Sequence, residues 1–95
     1  MQVFEWDERK AASNYHKHGI TFDEAKLAFA DPRSIAEQDR TENREKRWLT
    51  IGMIDTCLIV SIAHTVHEHG HSETIRIINA RKATRKERDR YYGNR

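Results

Sequence analysis

Polar and apolar positions along this chain follow two periods, with a change near Pro32 and another near Thr84. Up to Phe29 the spacing is helical. Asp7 stands where an N-cap belongs, Ala11, Ala12 and Tyr15 form a narrow apolar stripe behind it, and Gly19 supplies a stop, which predicts a first helix to residue 18. A second helix follows at once. Thr21 and Glu24 have the spacing of a capping box, Phe22, Ala25, Ala28 and Phe29 share one face, and Asp31-Pro32 ends the run.

Beyond Pro32 the period falls to two. Ser34 to Gln38 reads as a short edge strand, Asp39 to Lys46 as a polar loop, and Arg47 to Ile54 and Leu58 to Thr65 as strands on either side of an Asp55-Thr56 turn. Thr65 to Ser72, which contains Gly70, reads as a hairpin tip, and Glu73 to Ala80 as the last strand. Such connections are shorter than the dozen or so residues of a parallel crossover, so antiparallel pairing is expected. Thr84 and Glu87 repeat the capping-box spacing and predict a last helix from residue 85 to Tyr91 or Tyr92. The predicted architecture is α+β: two N-terminal helices, a four-stranded antiparallel sheet and a C-terminal helix.

Ninety-five residues, 37% of them hydrophobic, suit a single domain over 1–95. No apolar run approaches the roughly 20 residues of a membrane-spanning helix. Met1 to Asp7 lacks the basic-then-apolar pattern of a secretory signal, so a cytoplasmic protein is expected. The single cysteine, Cys57, lies beside Leu58-Ile59-Val60 and reads as a buried, inert thiol.

Charge is unevenly spread. Residues 1–45 hold seven Lys/Arg against ten Asp/Glu, whereas residues 46–95 hold ten against five. The basic half ends in "IRIINARKATRKERDRYY", a density that fits a polyanion or an acidic partner, and more blandly a solvated helix face. Strand alternation puts Arg76 with Thr74, Ile78, Ala80 and Lys82 on one face, and Arg81 with Glu73, Ile75, Ile77 and Asn79 on the other, but Arg81 and Lys82 stand at the strand–helix junction, where alternation weakens, so both can turn toward one groove. An arginine between apolar neighbours needs a carboxylate or an anionic ligand. His64, His67, His69 and His71 fall within eight residues, but a solvated turn explains them better than a metal site, and His16 and His18 suit the negative end of the first helix. No phosphate-cradling glycine loop or Ser/His/Asp set is legible.

Phe4-Glu5-Trp6-Asp7, Lys17 to Ala25, Asp31-Pro32, Arg47 to Gly52 and Ile75 to Thr84, in that order over nearly the whole chain, resemble the BrnT family of toxins. Asn79 stands where that family usually has serine, and Arg40-Thr41 where it commonly has a His-Ser pair. The resemblance implies a ribonuclease toxin of a type II toxin-antitoxin pair with a RelE/ParE-like fold. It further implies inhibition of translation by metal-independent RNA cleavage, no cofactor, and silencing by a BrnA-like antitoxin in a heterotetramer that reaches operator DNA only through the antitoxin. Cleavage by attack of a ribose 2′-hydroxyl builds charge on the phosphoryl oxygens, which arginine forks stabilise. On that basis Arg76, Arg81 and Tyr91 are the expected catalytic residues, Lys82, Arg85 and Arg88 the RNA-binding ones, and Glu73 or Glu87 the candidate base. Two other functions fit the same sequence: a non-catalytic binding module, and a gyrase inhibitor of the ParE kind.

Overall fold

The computed structural model describes residues 1–56 and 58–93, so the expectation for Cys57 lies outside the described residues. The elements run β1 (Gln2–Glu5), α1 (Glu8–His18), α2 (Phe22–Phe29), β2 (Ile35–Glu42), β3 (Glu45–Asp55), β4 (Leu58–His69), β5 (Ser72–Lys82) and α3 (Arg85–Gly93). They build one five-stranded sheet in the order β1-β5-β4-β3-β2. The expected four-stranded antiparallel sheet preceded by two helices is therefore incorrect. The chain opens with a strand, and β1 pairs parallel to β5, with Gln2 opposite Glu73 and Glu5 opposite Arg76. β1 escapes notice because it is only four residues long, has Phe4 as its one half-buried side chain, and has no local turn linking it to a partner some seventy residues away.

Two other segments differ from expectation. The polar run Asp39 to Lys46 is a hairpin with a register shift at Asp39, turned by Asn43 (φ 51°) and Arg44 (φ 65°), the paired left-handed residues of a tight hairpin turn. Strand β4 continues to His69, so most of the supposed hairpin tip is ladder, from Thr65 opposite Arg76 to His69 opposite Ser72.

The two faces of the sheet are covered differently. Ile20, Phe22, Ala25 and Ala28 pack on Val60, Ile62, Ile75, Ile77 and Ala80, which places α2 and the residues around it on one face. The Thr21–Glu24 capping box is formed and Gly19 adopts φ 70°, as the sequence indicated. A Cβ at Gly52 would lie 2.7 Å from the Ala28 carbonyl oxygen, so α2 approaches β3 closely only because that position is glycine. On the other face a smaller cluster of Ile51, Ile59, Ala83 and Tyr91 seats α3.

Helix α1 packs Ala11 against the core and buries Asn14, whereas Ala12 and Tyr15 are exposed. The reason lies at the edge of the sheet. β1 pairs with β5 only as far as Arg76, and Asn14 completes the edge beyond it, accepting from Ala80 N–H at 3.0 Å and donating to the Ala80 carbonyl at 2.9 Å. One amide replaces the missing strand partner at that residue.

Candidate functional site

The basic residues around β5 are placed by a β-bulge. Asn79 stands opposite Ala63 and Ile77 opposite His64, so β5 spends one extra residue there and its alternation reverses. Ile75, Ile77 and Ala80 consequently all face the α2 side, and Arg81, opposite Ser61, turns to the same face as Arg76, opposite Thr65. Strict alternation had set the two arginines on opposite faces. The four intervening β4 steps separate them by about 13 Å along the strand.

Their surroundings differ. Arg81 binds Glu87 with both amines, Nη1 to Oε1 at 2.7 Å and Nη2 to Oε2 at 3.0 Å. Glu87 is almost fully buried and also accepts from the Ser61 hydroxyl (2.7 Å) and Thr84 N–H (2.8 Å). Its carboxyl is held down to about 2, first by Arg81, with Thr84 and Ser61 adding to the effect against the cost of burial. Such a carboxylate is a poor base at neutral pH, and the capping-box role accounts for it, since Glu87 N–H also donates to Thr84 Oγ1 at 3.2 Å.

Tyr91 is similarly committed. Its hydroxyl donates to Asp31 Oδ2 at 2.6 Å, and burial, followed by that bond to a carboxylate, pushes its pKa up to about 12. Burial also raises Asp31, but hydrogen bonds from Tyr91, Met53 N–H and Arg33 N–H bring it to a net value below the usual range. Asp31 thus ties the end of α2 to β3 and α3 together. Arg88 donates to the Ala83 carbonyl at 2.9 Å, while Arg85 and Lys82 are exposed, Lys82 on the α2 side by alternation from Ala80.

Arg76 differs from these. It is half-exposed, on the sheet face opposite α2, with Nη1 2.7 Å from Glu5 Oε2. Glu5, which the sequence did not single out, is the carboxylate beside it. Glu73 sits on the opposite face, where it accepts from Gln2 at 3.0 Å and lines a cleft of about 350 Å³ with Trp48, His64 and Ile75. A single phosphate cannot therefore meet both Glu73 and Arg76.

On the Arg76 face, register builds a cross-strand row. Arg40 pairs with Arg47, and Thr65 pairs with Arg76. Trp48 stands opposite His64, so the same register sets the preceding Arg47 beside Thr65. The histidines do not converge: His64 is buried against Phe29 and 2.7 Å from Thr50 Oγ1, whereas His67 reaches Glu45 at 3.1 Å. Among the described residues no three His, Cys, Asp or Glu side chains form a metal-binding group, and no helix is long and apolar enough to cross a membrane.

Comparison with known proteins places this geometry. No curated protein sequence matches the chain. The crystal structure of the Brucella abortus ribonuclease toxin BrnT is similar in fold, with a TM-score of 0.59 at 23% identity, over 90% of this chain and 99% of that one. A family model described as the ribonuclease toxin BrnT of type II toxin-antitoxin systems matches residues 6–87. That span runs from Trp6 at the end of β1 to the buried Glu87 of α3, and the chain belongs to the BrnT family of ribonuclease toxins.

Proposed function

We propose that this chain cleaves RNA without a metal ion, by attack of a ribose 2′-hydroxyl on the adjacent phosphate, and that translation stops as a result. The observation that carries the reading is Arg76, a half-exposed arginine with a carboxylate, Glu5, 2.7 Å away. Glu5 takes the 2′-hydroxyl proton, O2′ forms a bond to phosphorus, and the bond to the 5′-oxygen breaks, with water protonating the leaving oxygen. The products are a 2′,3′-cyclic phosphate and a 5′-hydroxyl. Arg76 stabilises the charge that develops on the phosphoryl oxygens. Arg81 and Tyr91, whose polar atoms are engaged by Glu87 and Asp31, serve by holding α3 against the sheet, and Lys82, Arg85 and Arg88 draw in the RNA backbone.

An antitoxin of the BrnA kind silences the protein by covering the arginine face, in a heterotetramer that carries it to operator DNA. Acidic side chains on that partner suit the surface. Purified protein incubated with total RNA, with and without chelator, is the direct test, with gyrase supercoiling assayed in parallel. Chelator-insensitive fragments ending in cyclic phosphate are expected. Intact RNA, cleavage abolished by chelator, or inhibited supercoiling would each overturn the reading.

A further inference from the structure

Two buried polar groups on the Arg76 face have no hydrogen-bond partner among the described residues: the hydroxyl of Thr65 and Nε of Arg47. Thr65 is 1% exposed, and a hydroxyl at that depth without a partner carries a real desolvation cost. The two residues are neighbours in the cross-strand row, and Arg76 is the ladder partner of Thr65 on its other side. Arg47 Nη2 lies 3.8 Å from both Glu42 and Glu45, within ion-pair range but too far for a hydrogen bond, so its donors remain open to a closer oxygen. Three adjacent strands therefore bring two guanidinium groups and one orphaned hydroxyl to one place.

We propose that Arg47, Thr65 and Arg76 form a phosphate subsite that binds a backbone phosphate of single-stranded RNA. A phosphate there meets the exposed parts of Arg47 and Arg76 first, and as those side chains turn toward it, it accepts from the Thr65 hydroxyl and the Arg47 Nε–H, the two donors left unsatisfied. A guanidinium fork and a hydroxyl match the tetrahedral oxygens of a phosphodiester and carry no base preference. The subsite extends the Arg76 site across the sheet, away from the surface where Arg81 and Glu87 are locked together. The proposal rests on RNA being the substrate, but its test does not require cleavage.

The test measures binding of a labelled all-deoxy oligonucleotide, which lacks the attacking 2′-hydroxyl, across a salt series. Arg47→Gln should weaken binding about tenfold or more and lower the salt slope by about 0.7, the loss of one single-strand phosphate contact. Thr65→Val is the sharper variant. It removes a buried unsatisfied hydroxyl at nearly constant shape, so the protein should unfold at the same temperature as the parent or higher, yet bind about threefold to tenfold more weakly. A residue with a purely structural role would not separate the two readouts in that direction. Arg9→Gln, on α1 away from this face, is the control and should bind as the parent does. Parental affinity and salt slope in both Arg47→Gln and Thr65→Val would overturn the subsite, even if the parent cleaves RNA. Parental protein that binds the oligonucleotide through these residues but leaves RNA intact would overturn cleavage and keep the subsite.

Discussion

Arg81 and Glu87 meet fork to fork at 2.7 and 3.0 Å across the joint between β5 and α3. The same carboxylate takes the Ser61 hydroxyl from β4, so strand, joint and helix converge on one buried anion. Helix α3 is otherwise strongly polar, with only Glu87 and Tyr91 buried, and so depends on these specific bonds more than on an apolar face. Arg81→Ala should therefore cost about 2 kcal/mol, less than for breaking a fully buried pair because Arg81 is itself partly exposed. Arg81→Lys, which keeps the charge but not the fork, should recover less than half of that. Urea unfolding measures the loss, and hydrogen exchange over residues 85–93 should show α3 opening before the rest. Parental exchange in folded Arg81→Ala would show that the pair does not hold the helix.

The same pair sets part of the acid response. Glu87 has a folded value of about 2 against an ordinary 4.5, so the folded form gives up its proton more readily than the unfolded chain. Its contribution is complete above about pH 4.5 and drains away as pH falls towards 2. Asp31 and Glu24 are shifted the same way, so the difference between parent and Glu87→Gln isolates the term. Stability measured from pH 6 to pH 2 should fall less steeply in Glu87→Gln. Parallel curves would remove Glu87 from the acid transition.

His64 acts at higher pH and for a different reason. Burial lowers its pKa below 6.5, partly opposed by the Thr65 carbonyl and by Glu73, and its ring packs on Phe29 and bonds Thr50. The neutral ring is the folded form. Stability from this group is complete above about pH 6.5 and declines as pH drops below it. A ring-proton NMR titration should show the His64 ring still neutral below pH 6.5; a ring that charges at or above pH 6.5 would contradict the burial argument.

Asn14 offers a test of the sheet edge. Asn14→Ala leaves Ala80 with an unpaired N–H and carbonyl at a buried position and should cost about 2 to 3 kcal/mol. Asn14→Asp restores the acceptor but not the donor, and places a charge there as well, so it should be no better than alanine. A loss below about 0.5 kcal/mol in either variant would mean that water replaces the amide easily.

These contacts also show which features the sequence made legible. Both capping boxes, the Gly19 stop and the apolar face of α2 rest on residues that follow one another at intervals of four positions or fewer, and local spacing displays such features. β1, the Asn14 edge and the Arg47-Thr65-Arg76 row depend on partners many residues apart, for which periodicity carries no information. The bulge near Ile78 is the most consequential case. One extra residue in β5 moves Arg81 to the Arg76 face, and nothing in "IRIINARK" marks where the alternation reverses. Arg76 was legible as an arginine in need of an anion, but Glu5 became its partner only through the parallel pairing of β1.

That pairing leads to the most direct test of the chemistry. If Arg76 stabilises charge that exists only in the transition state, Arg76→Ala should lower kcat on the order of a hundredfold to a thousandfold while KM moves little. Its pair with Glu5 is half-exposed, so the unfolding free energy should change by less than about 1 kcal/mol. Arg85→Ala should do the reverse, raising KM and lowering the salt slope by about 0.7 with kcat nearly intact, as for one lost contact to single-stranded RNA. Glu5→Gln separates two roles for the carboxylate. A base is lost outright in the amide, which should reduce kcat severely, whereas a residue that merely orients Arg76 is largely replaced by an amide oxygen that accepts the same hydrogen bond. Folded Arg76→Ala protein that cleaves at the parental rate would remove the reaction from this face of the sheet. The cleft lined by Trp48, His64 and Glu73 on the opposite face would then be the place to look for it.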